Sequence, residues 1–274
     1  MRTRIISSII AFPVVAFIIA IGGLPLKILM LAISLIGMKE IYSALNNGKP
    51  RAESILGYAA LLCYYFLLGR GSDFIVMLFG VFIIANLMLF VRNHKIISPM
   101  NCAFNIFGFF YVGLLLSYVY LTRAHAYGAY FVWLIFISAW ACDTFAYFTG
   151  MLIGKRKLAP ILSPKKTIEG AVGGTLGAAL VGGVFAYVAS VHFSDLFGIT
   201  DMGSEINLIT LSAVIGGAGA VFAQFGDLSA SAIKRHTGIK DYGKLIPGHG
   251  GIIDRFDSVI FTAPIVYAVI WVLT

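Results

Sequence analysis

Between Asp73 and Arg92 the chain reads FIVMLFGVFIIANLMLFV, with no charged residue. A helix rises about 1.5 Å per residue, so roughly 20 apolar residues cross the ~30 Å hydrocarbon core of a bilayer. Several further runs reach that length. With 59% hydrophobic and only 12% charged residues, and a mean hydropathy of +0.93, the 274 residues hold too little polar surface to coat a water-soluble globule. Segments of about ten residues with alternating polarity are missing, which favours helices that satisfy their own backbone over a barrel. The sequence implies an all-α, polytopic integral membrane bundle.

Apolar runs between polar breaks predict about nine spans, near 5–22, 25–45, 54–69, 74–91, 102–122, 128–149, 170–192, 206–226 and 256–273. Pro13 falls inside the first and predicts a kink there. Arg2 and Arg4 precede that run as they would in a signal peptide, but no small-residue cleavage site follows, so it reads as a retained span. Alternating spans place the N-terminus, 46–53, 92–100, 150–169 and 227–255 on one side. Lys and Arg then divide 16 to 2 in favour of that side, which makes it cytoplasmic and leaves the C-terminus outside. No internal repeat or soluble appendage is visible. The expectation is one membrane domain over 1–274, with N-terminal spans in 1–125 and the chemistry in 126–274, multi-pass in the cell's inner (plasma) membrane with its site on the cytoplasmic face. Cys63, Cys102 and Cys142 show no ligand spacing and read as packing residues. The net charge of +8 is accounted for by the cytoplasmic loops and gives no reason to propose nucleic acid as a partner.

Two of those loops concentrate charge. In GKRKLAPILSPKKTIEGAVGG, residues 154–174, five cations precede the first acid, Glu169. Such a cluster can simply hold lipid head groups. However, Thr167 and Glu169 stand where a helix begins, and the free N–H groups of a helix start attract anions. The second loop, SASAIKRHTGIKDYGKLIPGHGGIIDRFDS at 229–258, follows Asp227. Asp254 and Asp257 are three residues apart, so a helix starting near Gly251 puts both carboxylates on one face, as two ligands of a divalent cation require. Singly, these acids also suit loop caps and helix-dipole partners, and His249 suits a loop hydrogen bond. Together, metal-type carboxylates and Lys/Arg clusters on one membrane face describe a site for phosphate groups. Asp143, well inside the sixth predicted span, adds a carboxylate whose cost at that depth implies a function.

GxxxxGK[ST], HExxH and GxSxG strings are absent, which removes the P-loop, zincin and serine-hydrolase readings. Carboxylates for a metal together with Lys and Arg are the equipment for bringing two anions together at phosphorus. Two unit charges about 4 Å apart repel by about 4 kcal/mol at an effective dielectric near 20, so cations are the main catalytic need. A phosphate nucleophile is already ionised and needs no general base. His249 then serves to hydrogen-bond a phosphate or a base.

The run Ser231, Lys234, Arg235, Lys240, Asp241, Gly243, Pro247, His249, Gly250, Gly251, Asp254, Arg255, Asp257 resembles the signature of the bacterial phosphatidate cytidylyltransferases, or CDP-diacylglycerol synthases. Asp143, Tyr147, Gly150, Gly154, Ser163, Pro164, Lys166, Thr167, Glu169 and Gly170 resemble a second stretch of that family. The resemblance implies a reaction of CTP with phosphatidate, magnesium as cofactor with more than one ion, membrane lipids as surroundings, and a homodimer. Carried over by position, it implies Asp227 and Asp254 as first metal ligands, with Asp257 and Asp143 next. Lys234, Arg235 and Arg255 join Asp227 and Asp254 in catalysis. Lys155, Ser163, Lys166, Thr167, Glu169, Ser231, Lys240, Asp241, His249, Gly250 and Gly251 bind substrate or shape its loops. Two other readings use part of this equipment. A CTP-dependent lipid kinase, or a cytidylyltransferase for another phosphorylated lipid, would need a similar cation-rich site, and the kinase also a base for its hydroxyl acceptor. A secondary transporter would use Asp143 for a coupling ion, but the charges lie on one face without paired repeats.

Overall fold

The computed structural model describes residues 13–49, 53–200, 207–243 and 250–273. Residues 13–21 form α1; residues 5–12 of the first predicted span lie outside the described residues, and Pro13 stands at their edge. There follow α2 (Gly23–Leu45), α3 (Ser54–Leu67), α4 (Ser72–Arg92), α5 (Pro99–Gly108) and α6 (Leu115–Ala124). A π-helical turn, Phe109–Leu114, joins α5 to α6 without a break. Next come α7 (Gly128–Ile153), a hairpin of β1 (Lys157–Ala159) and β2 (Ser163–Thr167), α8 (Ile168–His192), the one-turn α9 (Ser194–Phe197), α10 (Leu208–Thr237) and α11 (Ile253–Leu273).

Among the described residues seven helical segments are long and apolar enough to cross a membrane: α2, α4, α5 continued into α6, α7, α8, α10 and α11. Helix α3 has 14 residues, about 21 Å, and is too short to span alone. Its shortness has a local resolution. The Lys27 ammonium, inside α2, donates to Leu68 O at 3.4 Å just past the end of α3 and lies 5.6 Å from the centre of the Tyr120 ring. A carbonyl left open by the early stop thus finds a charged donor inside the apolar zone.

The core of the first half is aromatic. Tyr64, Phe79, Phe82 and Phe109 meet largely edge to face, with centroids 5.0–6.1 Å apart, and Tyr64 donates or accepts across 2.8 Å with Ser117. The second half packs α7, α8, α10 and α11 through small residues. A Cβ on Gly182 would sit 2.5 Å from Ser212 O, and one on Gly216 2.5 Å from Ala178 O, so α8 and α10 approach to backbone contact.

Hydrogen bonds fix which helix ends lie together. At one end the Arg123 guanidinium donates to Ile19 O and Ala20 O at 3.0 and 2.8 Å. At the other, Asn101 of α5 donates to Asn46 after α2, Asn105 donates to Glu53 O before α3 and to Asn86 of α4, and Glu40 of α2 reaches the start of α11. Residues 46–49, 92–98, 153–167, 237–243 and 250–253 therefore gather at one end, the grouping that charge parity implies. Loop 227–255 is shorter than expected, because α10 runs on to Thr237 and carries Asp227, Ser231, Lys234 and Arg235 on helix. Loop 150–169 likewise holds a hairpin, antiparallel with Lys157 opposite Thr167 and Ala159 opposite Ser163.

Candidate active site

The hairpin and α8 supply the first wall. Thr167 caps α8, its Oγ1 accepting from Gly170 N at 3.1 Å. Glu169, in the first turn, accepts from Lys155 N at 3.0 Å and from Arg156 N at 3.2 Å. Both side chains are spent on backbone N–H groups, so they shape the loop. Lys155 is exposed and Ser163 half-buried in β2.

Helix α10 supplies the second wall. Asp227, Ser231 and Lys234 recur at the spacing of one helical face. Lys166, one residue before the Thr167 cap, forms an ion pair with Asp227, to which Ser231 Oγ also donates at 3.5 Å. One turn earlier, Gln224 Nε2 donates to Ala171 O and Thr175 Oγ1, both at 3.1 Å, and so ties α10 to α8 beneath the pair. Lys234 Nζ bonds Asp254 Oδ1 at 2.7 Å.

The third wall is the start of α11 with the strand-like turn before it. Asp254 Oδ2 accepts from Tyr242 N at 2.8 Å and from Gly251 N at 3.0 Å, so both oxygens of this carboxylate are engaged. Gly250 takes a left-handed φ of +87°, where a side chain would be strained. Tyr242 is buried, donates from its hydroxyl to Ala230 O at 2.9 Å and lies under Lys234, its centroid 5.6 Å from Nζ. Burial, reinforced by nearby acids, pushes its phenol far above the usual range, so it stays neutral. Asp257, one turn into α11, has Ser258 N on its Oδ1 at 2.8 Å. It lies within electrostatic reach of Asp227, Asp143 and Lys234. Arg235, Lys240, Asp241 and Arg255 are exposed around the rim. His249 lies outside the described residues.

Two cavities open on this network. One of about 490 Å³ is lined by Ser163, Lys165, Ser231, Lys234, Arg235 and Lys240, among others, with four cations and no carboxylate among the described residues. The second, about 330 Å³, lies between α7 and α8 and is lined by Asp143, Tyr147, Met151, Leu158, Lys165, Lys166 and Gln224 with small residues between. Lys165 lines both, which makes the SPKK segment the partition. Asp143 sits ten residues, about 15 Å, before the end of α7, facing this second space.

Among the described residues no three His, Cys, Asp or Glu side chains are close enough to hold a metal by themselves. The donors that do converge are carboxylates, and Lys166 and Lys234 already hold cationic groups against Asp227 and Asp254. Such a set fits a hard ion that takes one or two protein carboxylates and completes its shell with water and substrate phosphates, as magnesium does.

Sequence reasoning missed Gln224, Tyr242 and above all Glu40, which lies in the second apolar span. The signal was available: an acid inside a span is costly, as was argued for Asp143.

Known proteins match this chain over nearly its whole length. The model of the cytidylyltransferase family matches residues 2–273. A phosphatidate cytidylyltransferase of Bacillus subtilis is 32% identical over 278 residues, covering 97% of this chain and 96% of the relative. One of Staphylococcus epidermidis is 34% identical over 271 residues, 97% of each. One of Staphylococcus haemolyticus is 32% identical over 271 residues with the same coverage. With its full length matched and its charged walls assembled at one end of a membrane bundle, this chain belongs to the cytidylyltransferase family.

Proposed function

We propose that the chain is a phosphatidate cytidylyltransferase, which joins CTP and phosphatidate into CDP-diacylglycerol and releases pyrophosphate. The observation that carries this reading is the pair of cavities divided by the SPKK segment, one lined by four cations and one between membrane helices. A triphosphate suits the first, where Lys165, Lys234, Arg235 and Lys240 offset its charge. A lipid phosphate suits the second, with Lys166 as its cation and the acyl chains left in the bilayer beside α7 and α8.

A phosphate oxygen of the lipid attacks the α-phosphorus of CTP in line. The bond from that phosphorus to the oxygen bridging to the β-phosphorus breaks, and pyrophosphate leaves with the bond's electron pair. No proton has to be removed from the nucleophile. Lys166, held on Asp227, and Lys234, held on Asp254, deliver positive charge between two anions that would otherwise repel. Arg235, Lys240 and Arg255 attract the nucleotide from the rim, with Lys155, Asp241 and His249 beside them. Magnesium, when bound, supplies Lewis-acid stabilisation of the developing charge, and Asp227 and Asp254 are the proposed ligands, with Asp257 and Asp143 in support. At both carboxylates the ion would take the place of the ammonium now held there, Lys166 on Asp227 and Lys234 on Asp254, leaving each lysine to turn to phosphate oxygens.

The positive-inside rule makes the charged end cytoplasmic, with the N-terminus on that side and the C-terminus outside. Together with α1 and α3, the seven long helices support a nine-segment plan in one domain, 1–125 serving as scaffold and 126–274 carrying the chemistry. A homodimer is part of the same proposal, resting on the family. Diacylglycerol offered in place of phosphatidate distinguishes this reading from a lipid kinase. Cytidylyl transfer should require the phosphorylated lipid, and phosphoryl transfer to the free hydroxyl would favour the kinase.

A further inference from the structure

Glu40 is an acid five residues before the end of α2, in the chain's second apolar run, only 7% exposed, and it serves a helix more than 200 residues away. Its Oε1 accepts from Ile252 N and its Oε2 from Ile253 N, both at 2.9 Å. The preceding N–H, of Gly251, goes to Asp254. Three successive N–H groups leading into α11 are thus held by two carboxylates, and those of Ile252 and Ile253 are among the groups that a helix start leaves without partners. A negative charge there is also favoured by the helix dipole. The fit is close enough to dictate neighbouring residues: a Cβ on Gly251 would lie 2.5 Å from both Glu40 oxygens, and one on Gly243 2.4 Å from Oε1. Helix α2 itself docks tightly there, since a Cβ on Gly37 would meet Val112 at 2.7 Å and Ile253 at 3.7 Å. These three donors are therefore already engaged in this arrangement.

We infer that Glu40 is a positioning residue: from the N-terminal half of the bundle it clamps the first turn of α11 and so fixes the register of Asp254 and Asp257 against α10. The inference rests on the proposed function for its consequence and on geometry alone for the contact. A buried acid in an apolar segment is costly unless its oxygens are engaged, and here each oxygen of Glu40 accepts from one of these two N–H groups.

The test uses the full-length protein in detergent. Glu40→Gln keeps shape and one acceptor but turns an amide N–H toward the second backbone donor. It should lower kcat on the order of 10- to 100-fold, the loss that a displacement near 1 Å brings, and raise the magnesium concentration needed for half activity several-fold. Glu40→Asp, which keeps the charge on a shorter arm, should fall between the two. A purely structural residue would instead lower the yield of folded protein and leave kcat and the magnesium requirement per folded molecule unchanged, and that result overturns the inference. Hydrogen–deuterium exchange on the unmodified protein decides the contact independently of any variant's folding. The Ile252 and Ile253 amides should be strongly protected, and fast exchange there in folded protein also overturns it. Inactivity of the unmodified protein toward CTP and phosphatidate would count against the proposed function while the exchange data still reported the clamp.

Discussion

The two ion pairs of the site differ in exposure, and this difference predicts an order of stability losses. Lys234 and Asp254 meet at 2.7 Å with side chains 19% and 7% exposed, whereas those of Lys166 and Asp227 are 26% and 28% exposed. At 2.7 Å the Coulomb attraction at an effective dielectric near 20 is about 6 kcal/mol before desolvation is subtracted, an upper bound. Removing one partner of a buried pair costs about 3–5 kcal/mol because the other charge is stranded. Asp254 would be stranded only in part, since Tyr242 N and Gly251 N still hold Oδ2. Lys234→Met should therefore cost about 2–3 kcal/mol. Lys166→Met leaves Asp227 in a wetter place, where solvent screening reduces the loss to about 1 kcal/mol or less. For a chain of this size roughly 2 °C accompanies each kcal/mol, so thermal unfolding in one detergent should show a drop of about 4–6 °C for Lys234→Met and about 2 °C for Lys166→Met. Equal midpoints for the two variants, or the reverse order, would refute the reasoning from burial.

Thr167→Ala removes the cap on α8 and should cost about 1 kcal/mol, with Thr167→Ser restoring most of it in the same melt. Lys165→Ala and Arg235→Ala act on exposed cations of the larger cavity and should raise the KM for CTP about tenfold each, as expected for the loss of a charge-assisted phosphate contact, while leaving the melting midpoint within 1–2 °C.

Composition and run length alone indicated the membrane bundle, because apolar surface has few other ways to be satisfied. The 16 to 2 division of Lys and Arg paired the helix ends as the hydrogen bonds of Glu40, Asn46 and Asn105 do. Boundaries were harder. Helix α10 continues to Thr237 because charged side chains can leave a helix for water without ending it, so the first acid after an apolar run is a poor stop signal. The hairpin at 157–167 was read as loop, since strands of three and five residues are defined by each other and carry little pattern of their own. For the site, Asp227, Lys166, Lys234 and Asp254 were legible by type and spacing, and the structure adds who pairs with whom. Glu40 is not legible from the sequence as a partner of α11, because a lone acid 212 residues from the N–H groups it holds belongs to no local cluster of charge.

The most direct test of the proposed chemistry is pyrophosphate release by the detergent-purified protein given CTP and magnesium, with and without phosphatidate, beside Asp227→Asn. Release should require phosphatidate and disappear in Asp227→Asn shown to be folded. Folded, unmodified protein that releases no pyrophosphate with both substrates present would contradict the cytidylyltransferase reading, and Asp227→Asn with undiminished turnover would remove that carboxylate from the chemistry.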